Sequence, residues 1–241
     1  MADCYSFLYL YWGSTEINRQ QAERASRRAL ELDPNLAEAH VSYGLAASLS
    51  KRFNDAEKEF EIALKLNPRL FEAHYYYART CFIQGKYEDA RRLYEEASSV
   101  KPEDYQSNFL LESVYRALKQ QEKVIETLRE GMRRAERHLE LNPNDVRALY
   151  LGAGAFAQLG QRERGIEWVN RVLALEPDDA GALYNIACFY SLDGEIEKAI
   201  ECLEKALTLG FAQKEWIERD TDLDPIRSHA KYQSILDAMK S

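Results

Sequence analysis

ALELDP (residues 29–34) recurs in this chain of 241 residues as ALKLNP (63–68), ASSVKP (97–102), HLELNP (138–143) and VLALEP (172–177). The intervals between the five closing prolines are 34, 34, 41 and 34 residues. A period of this length is typical of arrays of helix pairs. Proline has no amide donor and fixes its own φ, so it ends one helix and opens the next. Each hexamer therefore predicts the turn between one helix pair and the following pair.

Other columns of the sequence keep the same phase. The small residue that lies twelve positions before each turn is Ala22, Ala56, Ala90, Gly131, Gly165 and Ala199. Small side chains at these places let the two helices of a pair approach closely. Gly85, Gly160 and Gly194 mark the turn inside a pair, where a helix C-terminus needs positive φ. The sequence therefore predicts a series of helix-turn-helix units.

The composition supports an all-helical chain and excludes several classes of partner. Only 11 glycines and 6 prolines occur, and 46% of residues are hydrophobic while 30% are charged, which favours a soluble amphipathic helical protein. With a net charge of -8, the chain lacks the excess of basic residues that nucleic-acid binders carry, and anionic membranes would repel it. The four cysteines stand singly, and the apolar run 5–12 is too short to span a bilayer. We therefore expect a cytoplasmic protein that binds neither nucleic acid nor membranes.

One interval, from Pro102 to Pro143, is seven residues too long. Seven residues are nearly two helical turns, so an apolar stripe can stay in phase across the insertion. The stripe consists of Val124, Leu128, Gly131, Ala135, His138 and Leu141. The sequence therefore predicts one unbroken helix over 121–141. We expect this helix to join an N-terminal block at 1–130, whose first repeat is truncated or irregular, to a C-terminal block at 142–213.

These columns resemble the tetratricopeptide repeat (TPR), a helix-turn-helix unit, over roughly residues 3–213. The resemblance implies an all-α, right-handed superhelical solenoid. Beyond Phe211 the period fails, and the apolar residues of 214–241 predict capping helices that close the array. This tail is similar to the terminal segment of bacterial TPR proteins, many of which carry such arrays beside a class III nucleotide cyclase, a serine/threonine kinase or a winged-helix domain.

The resemblance also implies where a partner binds, because the first helix of each pair lines the concave surface in TPR proteins. The implied partner-binding residues are Tyr75, Arg79, Phe82, Phe109, Arg116, Arg147, Tyr150 and Tyr184. Aromatic and arginine side chains are frequent anchors of protein interfaces. We expect the aromatic residues to be exposed. The arginines favour a protein or peptide ligand that combines acidic groups with aromatic or aliphatic ones. The columns lack the Lys and Asn of the TPR proteins that grip chaperone tails, which disfavours that role.

Three patterns resemble parts of catalytic or metal-binding motifs, but each lacks the neighbouring residues or elements that such a site requires. Asp220, Asp222 and Asp224 have the spacing of a calcium loop, but Pro225 replaces the glycine that should turn the chain, so a capped acidic turn is the preferred interpretation. Gly152 and Gly154 fall inside a predicted helix, whereas the glycines of a dinucleotide site follow a strand. His40 and His74 recur at equivalent positions without a third ligand. We therefore expect no catalytic residue, cofactor or metal site; the sequence leaves open whether Cys188 and Cys202 form a disulfide.

Two functions remain as hypotheses. The first is a non-enzymatic scaffold that holds a peptide or partner protein in the concave groove. The alternative is the regulatory or sensory TPR region of a bacterial signalling system, encoded separately or truncated, with a cyclase, kinase or transcription regulator as its counterpart.

Overall fold

The computed structural model describes residues 2–12 and 15–239, and within them every regular element is helical. The helices are α1 Ala2–Phe7, continued by a π-helical turn at Leu8–Trp12, α2 Glu16–Leu32, α3 Ala37–Leu49, α4 Phe53–Leu66, α5 Phe71–Ile83, α6 Tyr87–Val100, α7 Gln106–Ala117, α8 Gln121–Leu141, α9 Val146–Gln158, α10 Arg162–Leu175, α11 Ala180–Leu192, α12 Ile196–Thr208, α13 Lys214–Arg219, a 3-10 turn Thr221–Ile226 and α14 Ala230–Ala238. No described helix is both long and apolar enough to cross a membrane. The predicted all-α class is confirmed.

Consecutive helices pack as antiparallel pairs, α3 with α4, α5 with α6, and so on to α11 with α12. The small-residue column lies where the two helices of a pair touch. Ala22, Ala56 and Ala90 are fully buried. A Cβ added to Gly131 of α8 would lie 3.0 Å from the Phe109 ring of its partner helix α7, closer than ordinary van der Waals contact. The small residues therefore allow the close spacing of the two helices in a pair, as the period predicts.

Two of the proline turns, those at Pro34 and Pro68, are contacted by the two equivalent histidines. The residue before each of these two prolines has an extended backbone, which the proline ring favours, with Asp33 at φ -146 and Asn67 at φ -139. Nε2 of His40 lies 2.9 Å from the Pro34 carbonyl oxygen, and Nε2 of His74 lies at the same distance from that of Pro68. The recurrence of these histidines is therefore explained by a structural contact six residues back.

The turn inside each of the five pairs from α3 and α4 to α11 and α12 contains a residue with a left-handed backbone. Gly85, Gly160 and Gly194 have φ of 76, 71 and 80, as predicted. Lys51 and Lys119 occupy the same place in two other pairs, with φ of 58 and 60. A residue with a side chain adopts this conformation at a cost of about 1–2 kcal/mol. The packing of the repeat therefore imposes the left-handed backbone on these two lysines against their own preference.

The long helix is confirmed, because α8 is continuous from Gln121 to Leu141. Val124, Leu128 and Ala135 are buried along its predicted stripe. The last member of the predicted stripe is wrong, because Leu141 is 84% exposed while Leu139 is buried. Four residues after Ala135 return to the same helix face, whereas six residues after it point well away from that face.

The helices group into two compact units, one up to Pro102 (unit 1) and one from Glu103 onward (unit 2). This boundary precedes α7, whereas the sequence-based division was placed at α8, so α8 lies wholly inside unit 2. The tail also belongs to unit 2. Its 3-10 turn packs against α11 and α7, and α14 packs against α12. The buried apolar side chains of the tail are Trp216, Ile217, Leu223, Ile226, Tyr232 and Ile235.

Candidate functional site

The eight residues that the sequence selected lie on the first helices of the pairs. Tyr75, Arg79 and Phe82 belong to α5 of unit 1, and the other five belong to unit 2. Phe109 and Arg116 lie on α7, Arg147 and Tyr150 on α9, and Tyr184 on α11. The repeat phase therefore assigned each residue to the intended helix.

The expectation that the aromatic members are exposed is wrong. Tyr75, Phe109, Tyr150 and Tyr184 are only 4, 6, 6 and 2% exposed. Their burial follows from ring packing within each unit. Tyr75 stacks on Phe71 with ring centroids 5.5 Å apart, and Tyr184 stacks on Phe211 at 4.3 Å. Phe82 and Arg79 are likewise buried. A role of these residues in binding a partner stays a prediction.

Unit 2 contains a cavity of about 50 Å³ formed by the first helices of three successive pairs and by the tail. We call it the tail cavity. Phe109, Tyr150 and Trp216 contribute rings to its lining. Ser113, Gln158 and Asn185 contribute polar groups, and Gly154 leaves room beside them. The cavity opens partly to solvent, and two of the predicted aromatic residues line it.

Carboxylates contribute more charge to the tail cavity than the sequence suggested. Glu112, Asp220 and Asp222 line it, the first from α7 and the other two from the tail. Nε of Arg116 donates to Oε1 of Glu112 at 3.0 Å, and its Nη2 donates to Oδ1 of Asp222. Nε2 of Gln158 donates to the other Glu112 oxygen at 3.3 Å. Burial raises the pKa of Glu112 to about 7, although the Arg116 charge acts in the opposite direction.

Asp220 is the centre of a second set of hydrogen bonds. The hydroxyl of Tyr184 donates to Oδ2 of Asp220 at 2.5 Å, and Sγ of Cys188 donates to the same oxygen at 3.7 Å. The Asp222 amide donates to Oδ1 at 3.0 Å. Burial raises the pKa of Asp220 to about 6, and the nearby Asp222 charge adds to that rise. Tyr184 and Arg116 thus bind the tail of their own chain.

The acidic tail motif behaves as the capped turn that the sequence favoured. Asp220 caps the 3-10 turn, and Asp224 pairs with Arg227 at 2.5 Å. One potential metal-ligand group was not anticipated, because Sγ of Cys188 and carboxylate oxygens of Asp220 and Asp222 lie within 4.8 Å of one another. The sequence separates Cys188 from Asp220 by 32 residues, and the tail lies outside the repeat period, so no spacing pointed to this group.

Three described cysteines and Arg147 contact other parts of the fold. Cys188 and Cys202 are both free thiols, which settles the pairing that the sequence left open. Burial raises the pKa of the Cys81 thiol to about 12, so it stays protonated and unreactive at neutral pH. Nε of Arg147 donates to Oε1 of Gln106 at 2.6 Å, and its Nη1 donates to the Tyr150 hydroxyl at 3.1 Å.

Comparison with known proteins identifies the repeat. A tetratricopeptide-repeat sequence model matches residues 50–104, and a second tetratricopeptide-repeat model matches residues 180–209. A search of curated proteins gave no match.

Three solved structures share the fold. The thermophilic TPR protein TTC0263 of Thermus thermophilus has 22% identity over 85% of this chain and 98% of its own, with a TM-score of 0.57. Cut9, in the APC/C hetero-tetramer Cut9-Hcn1, has 14% identity over 98% of this chain and 47% of its own, with a TM-score of 0.63. The human IFIT1 dimer with m7Gppp-AAAA has 15% identity over 99% of this chain and 60% of its own, with a TM-score of 0.64. At these identities the structural likeness shows a shared fold. The segments 50–104 and 180–209 match tetratricopeptide repeats in sequence, and the chain has the helical fold of TPR proteins.

Proposed function

We propose that this protein is a non-enzymatic interaction scaffold that binds a peptide segment of a partner protein at the tail cavity of unit 2. The observation that carries the proposal is the cavity itself, because the first helices of three successive pairs line it together. Half-buried Gln158 and Asn185 line the cavity together with the buried rings of Phe109 and Tyr150. A polar rim around a buried aromatic centre is the usual anatomy of a binding site for protein segments.

The charge of the cavity favours a protein ligand over a nucleic acid. Among proteins of this fold, Cut9 is found in a hetero-tetramer with Hcn1, and IFIT1 with m7Gppp-AAAA. A nucleic-acid ligand needs cationic groups for its phosphates. The tail cavity instead contains Glu112, Asp220 and Asp222, and the whole chain carries -8. A protein or peptide partner is therefore the better match.

The predicted partner-binding residues take two different parts in this proposal. Phe109 and Tyr150 line the cavity. A ligand inside the cavity can therefore touch these two rings although both are buried. Arg116 is bonded to two carboxylates and Arg147 donates to Gln106 and to Tyr150, so the acidic character expected of the ligand stays a prediction. The signalling alternative and the cytoplasmic location stay predictions.

A blocked cavity tests the proposal. A Cβ added at Gly154 meets nothing within 4 Å, so Gly154→Leu places a large side chain at the cavity without a clash at its first atom. Asn170→Leu adds the same side chain at an exposed position on α10 and serves as the control. The chain of 241 residues is used to select binders from a phage-displayed library of random peptides. The affinity of each selected peptide is then measured by calorimetry.

We expect the selected peptides to bind Gly154→Leu at least about tenfold more weakly than the wild type, because a blocked anchor loses more than about 1.4 kcal/mol. Binding to Asn170→Leu should equal that of the wild type. Melting curves establish that both variants are folded. Peptides that bind Gly154→Leu and the wild type equally would exclude the tail cavity as the binding site.

A further inference from the structure

We infer that the tail cavity receives the cationic end of a lysine or arginine side chain of the bound segment. This inference rests on the proposed function, and it names the chemistry of the ligand at one position. It reverses the charge that the sequence suggested for this part of the groove.

Hydrogen-bond acceptors with unused capacity line the cavity. Among the described residues, the hydrogen bonds of the Asp222 side chain involve Oδ1 and leave Oδ2 available, and this side chain is 19% exposed. Nδ2 of Asn185 donates to the Gly181 carbonyl, which leaves the amide oxygen. The Ser113 hydroxyl lines the cavity on a residue that is 9% exposed, and it makes no hydrogen bond within the described part of the chain. An ammonium or guanidinium group supplies about three or five donors and no acceptor, which suits such a lining.

The charges at the cavity do not balance. Three carboxylates, those of Glu112, Asp220 and Asp222, line it, and Arg116 bonds two of them. The nearby guanidinium of Arg227 donates to the Asp220 carbonyl and is paired with the carboxylate of Asp224, which does not line the cavity. Buried carboxylates without enough opposite charge are unfavourable, and burial accordingly raises the pKa of Glu112 and of Asp220. A second cation entering the cavity would compensate this charge, whereas an acidic ligand would increase the imbalance.

The size and the lining of the cavity also fit a single basic side chain. A volume of about 50 Å³ holds a few water molecules, which is also the scale of one ammonium or guanidinium group. The rings of Phe109, Tyr150 and Trp216 line the same space. Aromatic rings attract cations through their negative faces, and their apolar surface also accommodates the methylene stem of lysine or arginine. The cavity therefore offers both parts of such a side chain a suitable surface.

The test uses the peptides that the wild-type protein selects from the random library. We expect them to share a lysine or arginine at one position, and its replacement by norleucine should weaken binding by about tenfold or more, as for a hydrogen bond to a charged group. Asp222→Asn should cause a similar loss. Asp224→Asn is the matched control, since it makes the same change two residues along the same turn, where the side chain is 57% exposed and pairs with Arg227. Its affinity should equal that of the wild type.

Asp222→Asn also changes the partner of Arg116, so a second variant separates binding from folding. Ser113→Ala removes one acceptor and leaves every described hydrogen bond in place, and it should weaken the basic peptide but not its norleucine version. Peptides that lose affinity for Gly154→Leu but share no basic residue, or share an acidic residue instead, would overturn this inference and leave the proposed function standing. Failure to select any peptide that depends on Gly154 would overturn both. Affinity for zinc chloride that requires Asp222, together with peptides indifferent to norleucine, would identify a metal site and overturn the inference.

Discussion

Two glycines of α9 test the packing of unit 2, because the same substitution should have opposite effects two residues apart. A Cβ at Gly152 would lie 2.2 Å from Cζ3 and 2.8 Å from Cε3 of Trp168. A Cβ at Gly154 would meet nothing within 4 Å. Neither glycine has positive φ, so alanine suits the backbone at both places. Only the space around the new methyl group differs.

The expected magnitudes follow from these distances. Alanine inside a helix is favoured over glycine by roughly 0.5–1 kcal/mol, and Gly154→Ala should gain that amount. At Gly152 the methyl group fits only if the indole of Trp168 moves. That indole is 7% exposed and packs edge-on against Phe156, with ring centroids 4.9 Å apart. Overpacking of this kind costs about 1–3 kcal/mol, so Gly152→Ala should be destabilised by up to about 2 kcal/mol after the helix preference is included.

Urea unfolding measures both variants beside the wild type. Two of the three tryptophans, Trp168 and Trp216, lie in unit 2, so fluorescence follows mainly that unit. We expect the two variants to differ by about 1–3 kcal/mol, with Gly152→Ala the less stable. Equal stabilisation of both would show that Trp168 moves aside at no cost, and the close approach of α9 and α10 would then not depend on glycine.

Three further substitutions address the tail and its hydrogen bonds. Leu223→Ala should cost about 2–5 kcal/mol because Leu223 is fully buried, whereas Leu141→Ala, at a side chain 84% exposed, should change the melting temperature little; equal effects would show that the tail is not part of the core. Tyr184→Phe removes a buried donor to Asp220 and should cost about 1–3 kcal/mol in urea unfolding, most at about pH 8, where the carboxylate is charged; a loss independent of pH would contradict this reasoning. The folded protein holds the proton of Glu112 more tightly than the unfolded chain does, so the contribution of this carboxyl to wild-type stability falls as pH rises through the window from 4.5 to about 7. Glu112→Gln should therefore gain stability relative to the wild type as pH rises through that window; a constant difference across this range would show that the carboxyl does not titrate there.

The sequence could predict the helix pairs because their signals are local and recur in phase. The bounds of α8 followed from a stripe that spans an insertion of nearly two turns. The stripe failed only at its end, where Leu141 was chosen by type although Leu139 has the better angular position. The left-handed turns at Lys51 and Lys119 were missed for a related reason. A glycine indicates positive φ because it lacks a side chain, whereas these lysines can be identified only because they occupy the repeat position that is glycine in other repeats.

The exposure of the aromatic column could not be predicted, because a column gives the face of a helix but not what covers that face. Tyr75 packs within its own unit against Phe71 and Tyr94. Tyr184 is covered by Phe211, where the last repeat ends, and by Asp220 of the tail. Phase can be read for as long as the period continues, and the tail begins where the period ends.

The same reason explains why the sequence suggested a positive groove where the structure has an acidic cavity. On α7, Arg116 is preceded four residues earlier by Glu112, a pair that a helix alone would bring together. Asp222 is 106 residues further along the chain, and only the fold brings its carboxylate to Arg116. One arginine beside one glutamate is neutral, and the two tail carboxylates make the surroundings acidic. The preference of this cavity for a basic ligand is therefore a property of the tertiary structure, and replacing a tail aspartate, rather than an arginine of the repeats, is the change that should alter it.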